Sequence, residues 1–172
     1  SAEGVMNIQS MSTRFLSASN GCTIECHTNG GRTAQGSAFL SALRPGESHS
    51  VGFRFDAKPG RMCYFVGLCR APLFPSDSGQ QAIRARGISL ENLYSHLHIE
   101  KACSQTSLPA FHTGSTVRLQ VDLRHQPHTL TISVDTTGSA HKVDLPAAAD
   151  CVWHPFVSLY NRGARVTVLL DA

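Results

Sequence analysis

The chain has 172 residues, 41% of them hydrophobic and 16% charged, with a formal net charge of +3 and an isoelectric point near 8.6. That length fits one domain with a core of its own, and the apolar share excludes a disordered acidic or basic chain, which cannot offset its conformational entropy by burial. The charge is too small to mark a nucleic-acid protein by itself, and a surface this poor in ions must be filled by Ser, Thr, Gln and His.

In chain order, Cys22, Ile24 and Cys26 alternate after the turn sequence Ser19-Asn20-Gly21, which predicts a short strand from Cys22 to His27. Asn29-Gly30-Gly31 predicts a loop tip carrying Arg32, since paired glycines accept positive φ at little steric cost. A strand over Ser37 to Leu43 ends at Arg44-Pro45-Gly46. Val51, Phe53 and Phe55 then share one face of SVGFRFD, Lys58-Pro59-Gly60 turns the chain, and RMCYFVGLC reads as a strand buried on both faces. Together these predict a hairpin from Ser50 to Cys69. The segment from Arg70 to Arg86 has two prolines, a glycine and no sustained period, and is expected to be a long, functional, irregular loop. GISLENLYSHLHIEK fits strand, turn, strand.

The cleanest alternation follows. Val117, Leu119, Val121 and Leu123 alternate with polar residues, RHQPH turns the chain, and Leu130, Ile132 and Val134 repeat the pattern, a hairpin with one dry and one wet face. A polar turn around Thr137-Gly138 and the strand HKVDLP come next, then an apolar run from Val152, the turn Asn161-Arg162-Gly163 and a closing strand with Val166, Val168 and Leu170 on one face. Many short strands without a long helix argue for an all-β, antiparallel sandwich. Its core should hold Val117, Leu119, Val121, Leu123, Ile132, Val157, Leu159 and Val168.

Three stretches resemble the SPRY domain family. PFVSLYNRGARVTVLL is similar to the family's closing strand, turn and strand; FHTGSTVRLQVDLRHQPHTLTISVD to its strand pair, with Gly114, Asp122, Thr129, Leu130 and Val134 in place; and YFVGLC to its central strand. The resemblance runs from about Phe15 to Leu170 and implies two curved antiparallel sheets of the concanavalin A-like jelly-roll kind. The expected organisation is a single SPRY-like domain over 1–172 with its core at about 15–170. Ser1 stands where an initiator Met would be expected, so the domain is read as excised from a longer protein, with Ser1-Ala2 a cloning remnant.

The resemblance further implies a non-catalytic module that recognises a peptide or partner domain with its loop rim, as scaffold or recruiting part of a larger assembly. By position that rim is basic: Arg32, Arg44, Arg70, Arg84, Arg86 and Arg162, with Phe74, Tyr94 and His96 among them. The binding candidates are Arg32, Arg70, Phe74, Arg84, Arg86, Tyr94, His96 and Arg162, because Arg and Tyr combine planar hydrogen bonding with large contact area. An acidic or phosphorylated peptide suits them. Two alternatives stand beside it, a lectin-like carbohydrate binder and an RNA-binding module of a ribonucleoprotein, the latter ranked lower because aromatics make up only 7% of the chain.

No nucleophile elbow, phosphate-binding loop or dinucleotide fingerprint is present, so no cofactor or small-molecule substrate is expected. Among nine histidines, His96 and His98 are two apart and His125 and His128 three apart, but zinc needs three or four converging ligands, so these read as surface or loop histidines with no metal. Cys63 and Cys69 read as inert core thiols, and Trp153 as core. No apolar run approaches the roughly 20 residues of a membrane span, and no secretory pattern opens the chain. With six irregularly spaced cysteines, a reducing intracellular compartment is expected, cytoplasm, nucleus or an organelle reached by import.

Overall fold

The computed structural model describes residues 7–20, 22–135, 138–146 and 151–170. Its elements in chain order are β1 (Ile8–Met11), β2 (Leu16–Ser19), β3 (Thr23–Cys26), β4 (Gly36–Leu40), β5 (Ser48–Ala57), β6 (Phe65–Arg70), α1 (Gln80–Ala85), β7 (Ile88–Glu91), β8 (His96–Ile99), β9 (Ala102–Gln105), β10 (Thr116–Asp122), β11 (Thr129–Val134), β12 (Ala140–Asp144), β13 (Trp153–Leu159) and β14 (Arg165–Leu170). They form two seven-stranded antiparallel sheets. The front sheet runs β1-β4-β13-β6-β7-β8-β9 and the back sheet β12-β11-β10-β5-β14-β3-β2. Gly21 and Thr137, parts of two expected turns, lie outside the described residues.

The period-two pattern sets the back sheet's register. Val117 faces Val134 and Phe53, and Leu119 faces Ile132 and Val51, so each apolar row lies beside another and turns toward the front sheet. From the front sheet, Leu40, Val66, Leu68, Leu90, Leu97, Trp153, Val157 and Leu159 complete this core. Each such side chain, fully buried, contributes about 1.5–3 kcal/mol. All eight residues expected inside are buried, as is Trp153.

The two sheets differ in their outer faces. On the back sheet, Arg118, Gln120, Thr129 and Thr131 keep contact with solvent. On the front sheet, Phe39, Phe65, Cys69 and Phe156 turn outward and form a second core with Cys63, Phe74 and Ile83. The cover over them is residues 71–87, a strap crossing the sheet. Phe74 seats its ring edge-on against Phe39, with centroids 4.8 Å apart, and against Phe156 at 5.7 Å. Farther on, the Ser37 amide donates to Ser76 O at 2.9 Å, and Ser78 bridges Ala34.

Two expectations are corrected. Arg70 to Arg86 is not an irregular loop: Gln80-Gln81-Ala82-Ile83-Arg84-Ala85 are mostly good helix formers and build α1, whose Ile83 is wholly buried against the front sheet. Nor do β5 and β6 form a hairpin, since β5 sits in the back sheet and β6 in the front. The Lys58-Pro59-Gly60 turn carries the chain from one layer to the other. Turn chemistry marks where the chain reverses but not which sheet it enters.

Candidate interaction surface

Strand direction decides which of the expected rim residues can meet. Leu159 pairs with Gly36, Ser158 with Phe65, and Phe65 with Glu91, so Arg32, Tyr94 and Arg162 follow or precede these strands at one end of the sandwich. Trp153 pairs with Arg70, its carbonyl accepts from the Leu43 amide, and Leu68 pairs with Ile88, so Arg44, Arg70 and Arg86 sit at the opposite end. The basic rim expected from sequence is therefore split between two ends. Arg70 is half-exposed and engaged by Glu100 at 3.1 Å. Arg86 is the C-cap of α1 and exposed.

Phe74 is corrected outright as a rim residue. At 2% exposure it is a core anchor of the strap, beneath the surface rather than on it. An aromatic between prolines in an unpatterned segment gives no periodicity by which sequence could tell the two apart.

The strap brings Arg84 to the end where Arg32 lies. Gly79 makes this possible, because a Cβ there would stand 2.3 Å from Arg32 O and 2.5 Å from the Thr33 carbonyl carbon, so only glycine lets the two backbones approach so closely. As a result Arg32, Thr33, Gly79, Gln80, Gln81, Ala82 and Arg84 line one open cleft, both arginines exposed. That lining contains no carboxylate. Under it, the wholly buried Gln35 donates from Nε2 to Ser158 Oγ at 2.8 Å, and Ser37 Oγ donates to the same oxygen at 3.0 Å. This polar network fixes the base of the loop that carries Arg32.

Tyr94 stands on the neighbouring turn. Its residues are held by the Asn92 side-chain oxygen accepting from the Tyr64 amide at 2.7 Å, Glu91 Oε1 accepting from the Leu93 amide at 2.7 Å, and Thr106 Oγ1 donating to Ser95 O at 2.7 Å. Ser95 turns with a φ of 53°. Tyr94 is left 61% exposed, its ring 5.7 Å from that of His96. Arg162 is exposed on a third loop, its backbone amide donating to Asn29 Oδ1 at 2.8 Å while Gly30 donates to Tyr160 O at 2.7 Å.

The histidines divide. His125 is exposed beside Asp122, whose carboxylate is held well below its usual range chiefly by the hydrogen bond from the Arg124 side chain. His98 is not a surface histidine: it is 5% exposed, and burial, aided by Arg84 and His96, pushes it down to about 4. Sequence reasoning also missed its neighbour Cys103, which pairs directly with His98 across the β8–β9 hairpin. Burial raises the thiols of Cys63 and Cys69. Among the described residues, no helix is long and apolar enough to cross a membrane.

No protein-family model matches the sequence, and no curated protein matches it. Solved structures do. The chain is similar to a human SPRY domain at a TM-score of 0.75 and 15% identity, covering 95% of this chain and 98% of that one. It is also similar to the SPRY domain of human HERC1 at 0.72 and 15%, covering 96% and 97%. The PSpry domain of TRIM65 follows at 0.65 and 11%, covering 96% and 93%. At these identities the likeness speaks to architecture, and the chain has the SPRY fold, a sandwich of two antiparallel sheets.

Proposed function

We propose that this domain is a protein-interaction module that takes a short acidic segment of a partner protein on the end of the sandwich carrying Arg32, α1 and Tyr94. The reading rests on one observation: Arg32 and Arg84, far apart in sequence, line a single cleft whose lining has no carboxylate, with an exposed tyrosine on the adjoining turn. Two guanidinium groups offer forked donors to carboxylates or phosphates, and Tyr94 adds contact area at small entropic cost. The SPRY architecture of its structural neighbours supports a binding role for loops at the sandwich ends.

The test is capture of partners from cell extract by the domain and by an Arg32→Glu, Arg84→Glu variant shown by circular dichroism to fold alike. Partners lost only from the variant, and weakened by at least about tenfold in titration, support the reading, since removing one partner of a charge pair that binding buries costs about 2–5 kcal/mol. Undiminished binding by the variant removes this surface. Retention by Arg70→Glu, at the opposite end, is the matching control.

A further inference from the structure

On the outer face of the β8–β9 hairpin, beyond the cleft of Arg32, three side chains with metal-binding atoms converge. One ring nitrogen each from His96 and His98 and the sulfur of Cys103 all lie within 4.8 Å of one another. The placement follows from register: residues two apart on β8 project from one face, and Cys103 stands directly across from His98. The third ligand is thus supplied by the partner strand, five positions on from His98.

We infer that His96, His98 and Cys103 form a binding site for a thiophilic divalent cation of the zinc class. A second observation points to a ligand independently of the clustering. His98 Nε2 is buried with no hydrogen-bond partner, an arrangement that is costly unless something else engages the nitrogen. His96 is oriented from behind: Gln105 donates through Nε2 to Tyr94 O at 2.8 Å, which turns its Oε1 toward His96 Nε2 at 3.1 Å. His96 Nε2 is then the protonated nitrogen, and Nδ1 keeps the lone pair, the arrangement usual for metal-bound histidines.

Two imidazoles and a thiolate suit Zn²⁺, with bonds of about 2.0–2.1 Å to nitrogen and about 2.3 Å to sulfur, so that donors stand roughly 3.3–3.8 Å apart around a tetrahedral ion. The observed spread reaches about 1 Å wider, so binding requires the side chains to draw together, and Cys103 is exposed and the least enclosed of the three. The fourth position is left to water. Arg84, Lys101, Gln81 and Ala85 line the rest of the cleft, and the two cations oppose a complex that carries net charge +1. Removing Lys101 should therefore tighten the site.

The experiment is titration of the metal-free, reduced domain with Co²⁺, a spectroscopic stand-in for zinc, followed by displacement with Zn²⁺. One equivalent producing a thiolate-to-cobalt charge-transfer band, bleached by Zn²⁺, is the expected result. Cys103→Ser, an exposed change with no cost to the fold, should abolish the band and weaken Zn²⁺ at least about tenfold; Gln105→Ala should weaken it about tenfold through loss of orientation, and Lys101→Gln should strengthen it. Absence of a band, or a band that survives in Cys103→Ser because another of the free thiols supplies it, overturns the assignment. Partner capture by the Cys103→Ser variant is read separately, so failure here leaves the proposed interaction surface standing, and the reverse.

Discussion

Phe74 offers the sharpest test of the architecture, because sequence places it on the binding rim and the structure places it in the second core. Phe74→Ala removes a wholly enclosed ring with two edge-on aromatic neighbours, Phe39 and Phe156. Truncating a buried Phe costs about 3–5 kcal/mol, of which each aromatic pair contributes about 0.5–1.5 kcal/mol. The strap is held besides by Ile83 and by the Ser37–Ser76 hydrogen bond, so the chain can lift locally at Phe74 rather than unfold, and the lower end of that range, about 3 kcal/mol, is expected. For a domain of this size that is a fall in Tm of about 6–12 °C. Urea unfolding of the wild type, Phe74→Ala and Phe74→Leu gives the free energies, with the Leu variant losing much less. Hydrogen exchange should show the Ser37 and Ile83 amides losing protection in Phe74→Ala. A loss below about 1 kcal/mol together with weakened partner capture would return Phe74 to the surface and refute the packing described.

Two other expectations follow from the strap. Gly79→Ala sets a methyl group against the carbonyl of Arg32, where only backbone can give way, so it should separate Arg32 from Arg84 and weaken partner capture several-fold while the sandwich persists by circular dichroism; unchanged capture would show that the close approach is dispensable. For His98 the direction is fixed by its lowered folded value of about 4 against an unfolded value of about 6.5. Its contribution is complete above pH 6.5, falls by up to about 1.4 kcal/mol per pH unit as the pH drops toward 4, and levels off below. Urea unfolding at pH 7 and pH 4.5 should therefore show a steeper acid loss in the wild type than in His98→Gln, and parallel losses would contradict a buried neutral imidazole.

The back sheet was legible in the sequence because one of its faces is wet: Val117 to Leu123 and Leu130 to Val134 alternate since every second position meets solvent. The front sheet was legible only as apolar runs, because Phe65 to Cys69 is buried on both sides and shows no period. The strap was missed for a related reason. Its helix has six residues and one wholly buried position, Ile83, too short for a 3.6-residue repeat to register, and what orders it is contact with Phe39 and Phe156 from distant strands. Of the candidate surface, Arg32 and Tyr94 lie on loops or turns, while Arg84 lies in α1 and His96 opens β8, and which of them meet depends on strand direction. Arg44, Arg70 and Arg86 looked equivalent to them in sequence and went to the far end. Cys103 could have been found by pairing His98 across the turn at Glu100-Lys101, had the hairpin register been assumed.

The strap has a consequence for how association would proceed. A surface made of free loops must freeze them when a partner arrives, and that ordering appears as an unfavourable entropy and a heat-capacity change larger than the contact area alone explains. Here the backbone of Gly79 to Ala85 is already fastened to a sheet by Phe74 and Ile83, so only the outward side chains remain to be ordered. Docking onto it approaches a rigid-body encounter. Calorimetry of the isolated domain with its partner should then return a heat capacity set by the buried apolar area, with no surplus from folding of the strap.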